Sequence, residues 1–327
     1  MSNRIRWGIL GTGNIARRFA TALKTLPEAE LAAIGSRSLE KAREFAYQFD
    51  VPYLHGRYED LAHDRHVDVI YIATPHAAHR DNALLCLGAG KPVLCEKPFT
   101  INTAQARTVI DFARQQRLFL MEGMWTRCFP VMAKLGQLLK AGAIGEPRML
   151  HADFGFRAEI KTEGRLFNPA LGGGALLDVG VYPVSLASLI FGPPARVGGL
   201  AHLGATGVDE AAAMVLGYER GQLAVLSTSI RTTTPQEAVI LGTDGQARIH
   251  APWWKPSRLT VATEGRPDEH VRLPYPGDGY HFEVAEVMRC LREGLLESPL
   301  MPLDETLSVM QTLDQLRALW GLKYPME

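Results

Sequence analysis

The stretch Ile5-Arg6-Trp7-Gly8-Ile9-Leu10-Gly11-Thr12-Gly13-Asn14-Ile15-Ala16 decides the fold. Residues 5–10 read as a largely apolar strand, and Gly11-Thr12-Gly13-Asn14-Ile15-Ala16 turns into a helix running to about Leu26. The turn fits the GxGxx(G/A) fingerprint of dinucleotide-binding βαβ units. Gly11 permits the tight turn, and Gly13 lets a pyrophosphate approach the backbone. Ala16 keeps the helix close to the sheet. Thr12, Asn14 and Ile15 line the same turn, at a helix amino terminus that offers N–H groups to phosphate. A glycine-rich turn without a ligand is the plainer alternative, but the strand–turn–helix setting favours the dinucleotide.

Outward from this turn the pattern repeats. Residues 31–34, 69–73, 93–95 and 118–121 read as further strands, with helices over 39–49, 77–88 and 103–116 between them. Strands alternating with helices imply crossover connections and a parallel sheet, a Rossmann doubly wound domain over residues 1–122. Residues 123–327 read as an α+β domain for substrate binding and dimerisation, with helices over 129–141, 176–190, 282–293 and 305–319. Between about 196 and 273 come short β-rich runs, at 211–218, 223–230, 238–241, 247–249, 259–262 and 271–273. Gly, Pro and Asp separate them, which points to a largely antiparallel, open-faced sheet. The last helix is expected to pack back near the N-terminal domain, and the active site to lie between the domains.

Composition narrows the partners. The chain has 327 residues, 46% hydrophobic and 21% charged, with 35 Lys and Arg against 35 Asp and Glu. Balanced charge leaves no global field to gather nucleic acid or an anionic membrane. No apolar run approaches the ~20 residues of a membrane span. The amino terminus leads into a strand without a signal peptide's apolar core. Cys86, Cys95, Cys128 and Cys290 show neither CxxC nor zinc spacing. No metal site is expected, and the thiols suit a reducing cytoplasm.

The end of the second strand selects the cofactor. An acidic residue about 20 positions past the fingerprint would bind the ribose 2′-hydroxyl of NAD, but the sequence there is Gly35-Ser36-Arg37-Ser38. Arg37 can grip a 2′-phosphate, with Ser36 and Ser38 donating hydroxyl hydrogen bonds. Alternatively Arg37 is a solvated loop residue and the serines cap the next helix. NADP is therefore favoured, with NAD possible.

A second motif lies in Lys91-Pro92-Val93-Leu94-Cys95-Glu96-Lys97-Pro98. Its Glu96-Lys97-Pro98 follows a short buried strand, at the sheet edge where open α/β folds bind ligands. That position puts a lysine where a nicotinamide ring should lie. With Thr74-Pro75-His76-Ala77-Ala78-His79, Glu122-Gly123-Met124-Trp125-Thr126-Arg127-Cys128-Phe129-Pro130, Gly172-Gly173-Gly174-Ala175-Leu176-Leu177-Asp178-Val179-Gly180-Val181-Tyr182 and Glu297–Pro302, the ordered set is specific. Over essentially its whole length the chain resembles the Gfo/Idh/MocA oxidoreductases. Within them it is similar to the branch of dimeric dihydrodiol dehydrogenases and NADP-dependent D-xylose dehydrogenases. The resemblance implies a homodimer or higher homo-oligomer, a cis Lys97-Pro98 bond, cofactor contacts from Thr74, His76 and His79, and Glu96 near the nicotinamide ribose.

Most members carry Asp and His four residues apart on a helix; here Asp178 and Tyr182 stand at that spacing, on one helix face. The resemblance therefore implies a phenol as general acid/base. Tyrosine ordinarily ionises near pH 10, too high for an efficient base at neutral pH, unless a nearby cation stabilises the phenolate. Lys97 is the candidate cation, and Asp178 orients Lys97 or Tyr182 or binds a sugar hydroxyl. In the structural alternative Tyr182 is packed against the sheet, Asp178 is a polar anchor and Lys97 a surface charge. Trp125, Phe154, Trp254 and Tyr280 are candidates for an aromatic wall of the substrate pocket.

The expected activity moves a hydride between a secondary alcohol of a sugar or cyclic trans-diol and nicotinamide C4. Two rivals remain: a reductase of an anhydrofructose-like keto sugar or a biliverdin-like substrate, and a catalytically silent NADP- or sugar-binding regulator.

Overall fold

The computed structural model describes residues 4–327. Met1, Ser2 and Asn3, on which the reading of the amino terminus partly rests, lie outside it. The chain divides into two compact units: residues up to 100, 104–125 and 276–306 in one, and 101–103, 126–275 and 307–327 in the other.

The first unit is built on β1 (Ile5–Leu10), β2 (Ala29–Gly35), β3 (Tyr53–His55), β4 (Val69–Ile72), β5 (Val93–Glu96) and β6 (Leu120–Gly123). They form a six-stranded sheet in the order β3-β2-β1-β4-β5-β6, parallel throughout. Every residue of β4, β5 and β6 is buried, as expected for parallel strands covered on both faces. Helices α1 (Asn14–Leu23), α2 (Leu39–Phe49), α3 (Tyr58–Ala62), α4 (His79–Gly88) and α5 (Thr103–Gln116) supply the crossovers. Trp7, Phe19 and Tyr71 interlock in its core, Phe19 stacked on Tyr71 at 3.7 Å. The sequence reading omits β3 and α3; β3 is three residues long and largely exposed, so it shows no period to read.

The second unit holds α6 (Pro130–Lys140), β7 (Pro147–Gly155), α7 (Val181–Phe191), β8 (Arg196–Leu203), β9 (Asp209–Gly217), β10 (Leu223–Ser229), β11 (Ala238–Gly242), β12 (Gly245–Ile249), β13 (Arg258–Thr263) and β14 (Glu269–Arg272). The eight strands run β14-β13-β12-β11-β7-β10-β9-β8, antiparallel except for the parallel β7–β10 pair. The expected open sheet is present, and β7 and β8 extend it beyond the runs read from the sequence. Leu150, Ala152, Met214, Leu216, Ala224 and Leu226 face the core, while Leu200, Val215, Leu223 and Val225 alternate outward. The span Pro169–Phe191 is long and apolar enough to cross a membrane, but 83% of its most apolar stretch, with mean hydropathy 1.7, is buried inside the protein. It is the core helix beneath this sheet.

Two helices close the chain, α8 (Tyr280–Arg292) and α9 (Leu303–Trp320). Sequence order assigns α8 to the second domain, but it packs on α1 in the first unit, burying Val284, Val287 and Met288. From Leu307 onward α9 belongs to the second unit.

Candidate active site

In the first unit the fingerprint turn sits at the carboxyl end of β1. Gly11 has φ +111°, and a Cβ there would stand 2.8 Å from the Ala73 carbonyl oxygen. Only glycine allows this crossing of β1 and β4. Gly13 differs: its backbone is extended, and a Cβ would meet nothing within 4 Å. It caps α1 without a side-chain hydrogen bond and with no acidic residue in the first turn. The bare backbone at Gly13 leaves the amino terminus of α1, with its N–H groups and positive dipole end, without a side chain in front of it, which suits a pyrophosphate. Asn14 is exposed, Thr12 and Ile15 are half-buried, and Ala16 is fully buried against the sheet. These residues fit a dinucleotide.

After β2, Ser36 is buried and its Oγ accepts the Ser38 N–H at 3.2 Å. Ser38 caps α2, accepting the Lys41 N–H at 3.3 Å. Both serines thus serve the local turn. Arg37 is exposed, with its guanidinium beside Tyr58, whose phenol burial pushes up against the pull of that charge.

Near the ends of β4 and β5 stand the remaining predicted cofactor residues. The Thr74 Oγ1 accepts from Asn82 at 3.0 Å. His76 is buried, its ring 5.8 Å from that of His79. His79 is fully buried, and its two ring nitrogens lie 2.9 Å from the carbonyl oxygens of Pro98 and Thr74. Burial lowers its pKa against the backbone hydrogen bonds, and Lys97 lowers it further. Its imidazole ties the segment after β4 to the Lys97-Pro98 segment. The Lys97-Pro98 bond is cis. Glu96 accepts from the Tyr71 hydroxyl and, at 3.1 Å, from the Lys97 N–H. Glu283 of α8 is fully buried beside this pair, and burial, then Glu96, raises its pKa well above the carboxylate range. Tyr71 is raised for the same reasons. Neither Tyr71 nor Glu283 carries a sequence motif.

The four aromatic candidates stack in two pairs. Trp125 stacks on Tyr280 at 4.1 Å in the first unit. Phe154, at the end of β7, stacks on Trp254 at 4.8 Å in the second unit, and Tyr182 of α7 joins that pair, 5.2 Å from Phe154. Lys255 lies over the Trp254 ring at 5.2 Å.

Tyr182 is buried near the start of α7, just after Leu176–Gly180 winds as a π-turn. The sequence reading expects a regular helix from 176. Pro183 explains the departure: it has no N–H to bond the Val179 carbonyl, and its ring crowds that group, so the turn before it opens. Asp178 lies within this π-turn, and Tyr182 in the first turn of α7. Asp178 is buried and ion-paired with Arg165 at 2.6 Å, a partner thirteen residues away that no motif announces. Arg127, in the quoted Trp125–Pro130 motif, is buried and donates to the Ser185 Oγ at 3.1 Å and carbonyl at 2.7 Å.

Comparison with known proteins agrees with this geometry. Residues 5–124 match the Gfo/Idh/MocA oxidoreductase family, NAD-binding Rossmann fold, and residues 132–248 match the Gfo/Idh/MocA C-terminal domain. The chain is 39% identical to trans-1,2-dihydrobenzene-1,2-diol dehydrogenase of Mus musculus, covering 99% of each chain. It is 40% identical to the enzyme of the same name from Xenopus tropicalis, over 98% of this chain and 99% of that one. A 3-ketoreductase from Actinomadura kijaniata, in complex with NADP and TDP-benzene, superposes with a TM-score of 0.85 at 27% identity, over 97% of this chain and 98% of that one. The chain belongs to the Gfo/Idh/MocA family and is an oxidoreductase.

Proposed function

From that membership we propose an NADP-dependent dehydrogenase that oxidises a secondary alcohol of a cyclic trans-diol or a sugar. The observation that carries it is Tyr182, a buried phenol packed with Phe154 and Trp254 in the substrate unit. Such flat apolar faces suit an arene diol or the face of a pyranose. The full-length relatives named for a dihydrobenzene diol support the first of these.

Gly11, Thr12, Gly13, Asn14 and Ile15 would hold the pyrophosphate, Arg37 the 2′-phosphate, with Ser36 and Ser38 shaping its loop. Thr74, His76, Glu96 and Lys97 would border the nicotinamide end. When bound, the nicotinamide supplies the acceptor for the hydride. Tyr182 takes the hydroxyl proton as the alcohol is oxidised, and Lys97 assists by favouring the anionic oxygen. Asp178, held by Arg165, orients the turn that carries it or bonds a substrate hydroxyl. Trp125 and Tyr280 contribute a second aromatic face from the cofactor unit. The outward row of Leu200, Val215, Leu223 and Val225 supports a homodimer through the open sheet.

The reverse reaction, reduction of a ring ketone by NADPH, is favoured by the likeness to a 3-ketoreductase. A panel of cyclic trans-diols, aldoses and keto sugars, assayed both ways with NADP(H) and NAD(H) by nicotinamide absorbance, separates the readings. Turnover of a diol or aldose with NADP supports the dehydrogenase. Turnover of ketones alone selects the reductase, and no turnover of any substrate alongside tight NADP binding would leave a regulator.

A further inference from the structure

Asp209 opens β9 and is fully buried. Its Oδ2 accepts the Leu176 N–H at 2.6 Å, across 33 residues of sequence. Leu176 is the first residue of the π-turn that holds Asp178 and runs into α7 with Tyr182. The other oxygen, Oδ1, has no hydrogen-bond partner among the described residues. Gly174 makes room for it: with φ +118°, a Cβ there would stand 2.1 Å from Oδ1.

Two more tethers converge on the same few residues. The Tyr324 hydroxyl, beyond α9, donates to the Gly173 carbonyl at 2.7 Å. The Thr228 hydroxyl of β10 lies 3.1 Å from the Phe154 carbonyl and 3.4 Å from that of Ala175. Helices usually take their cap from the residue just before the first turn. Here that residue is Ala175, without a side-chain acceptor, and the cap comes from another strand. A buried carboxyl with one oxygen unmatched is costly to fold, so a gain elsewhere must offset it.

We propose that Asp209 is the positioning residue of the acid/base helix: by capping Leu176 it sets where the turn begins and hence where the Tyr182 phenol stands. The inference rests on the reading of Tyr182 given above.

The charge state of the cap supports a distinctive readout. Burial raises the Asp209 pKa to about 7, against the N–H groups of Leu176 and Ala175 and the charge of Arg317 from α9. The titratable groups facing it are Arg317 and Tyr324. The raised value means that stability from this group, fully present below its unfolded pKa, is lost as pH rises through about 7. The cap itself strengthens over the same interval, because the anion accepts the stronger hydrogen bond.

Backbone hydrogen exchange over residues 174–182, corrected for intrinsic rates, tests this in the full chain between about pH 6 and about pH 8. Wild-type protection should change across the interval. Asp209→Asn keeps an acceptor and should be flat. Asp209→Ala should lose protection at Leu176 roughly tenfold or more, and its kcat should fall about 10- to 100-fold with NADP affinity unchanged. Asp209→Asn should recover part of that kcat. Wild-type exchange at Leu176 in Asp209→Ala overturns the inference. Should that variant fail to fold, a wild-type pH profile in Asp209→Asn overturns it equally. Near-normal turnover in Tyr182→Phe overturns instead the acid/base reading beneath, and exchange still decides whether Asp209 holds the turn.

Discussion

Trp254 stacks on Phe154 with ring planes 6° apart, and the Tyr182 ring leans on both, at 6.4 and 5.2 Å. The three rings come from a loop, a strand and a helix of one unit, so no local sequence rule assembles them. Their packing holds the Tyr182 ring from two sides. Asp178, the nearest acid in sequence, is engaged by Arg165.

The two glycines of the fingerprint should fail in different ways when enlarged. Gly11→Ala forces a Cβ to 2.8 Å from the Ala73 oxygen, so the protein should lose stability. Gly13→Ala fills open space and has no backbone strain. Its thermal midpoint should match wild type, while NADP affinity falls roughly tenfold or more as the methyl keeps the pyrophosphate from the α1 N–H groups. Thermal unfolding beside calorimetric titration reads both quantities. Unchanged affinity in Gly13→Ala would mean that the turn does not hold the cofactor.

In the proposed function Arg37 selects NADP over NAD. Ser36 and Ser38 accept N–H groups of the turn, which leaves their hydroxyl protons to donate beside the charged, exposed guanidinium. Arg37→Ala should weaken NADP binding by about 1.5–3 kcal/mol, the scale of a charge-assisted hydrogen bond, with little effect on NAD. Tighter binding of NAD than of NADP by wild type would refute the assignment.

Most of the first sheet was legible because its strands, β3 apart, are short, largely apolar and punctuated by the Gly11 and Gly13 turn. The second was legible in part: the alternation of β9 and β10 is clear, but Pro147 and His151 in β7 and the glycines of β8 blur theirs. Site residues on motifs, such as Glu96 and Lys97, could be nominated because order along the chain carries their signal. Arg165, Tyr71, Glu283 and Asp209 could not, since each acts on a partner distant in sequence that only the folded chain brings near. His79 could be nominated from its motif, but its place between the carbonyl groups of Thr74 and Pro98 could not.

Glu283 gives stability a pH dependence with a definite sign. Burial and Glu96 raise its pKa well above the usual range, so the folded chain binds its proton more tightly than the unfolded chain does. Its contribution is fully present below about pH 4, where the unfolded carboxyl is also protonated, and is lost as pH rises toward the folded value. Glu283→Gln replaces a neutral acid by a neutral amide. At neutral pH its thermal midpoint should lie at or above wild type, and the decline toward alkaline pH should be shallower. A midpoint well below wild type would show that Glu283 is held as an anion.

Tyr182 and Lys97 should behave as one proton-handling unit. Tyr182→Phe keeps the ring contacts with Phe154 and Trp254, so fold and NADP affinity should survive while turnover drops by roughly 100-fold or more. Lys97→Met keeps the length of the side chain and removes its charge, and turnover should fall again. If the lysine serves mainly through the phenol, the double variant loses less than the sum of the two free-energy losses, since a cation has little to do where no phenolate forms. Strict additivity would instead mean that Lys97 acts on the substrate oxygen independently of Tyr182. Single-turnover reduction of NADP with a confirmed substrate, in wild type, both single variants and the double, provides the cycle. Turnover near wild type in Tyr182→Phe would exclude the phenol and turn attention to Asp178, whose carboxylate would then have to leave Arg165 to accept the proton.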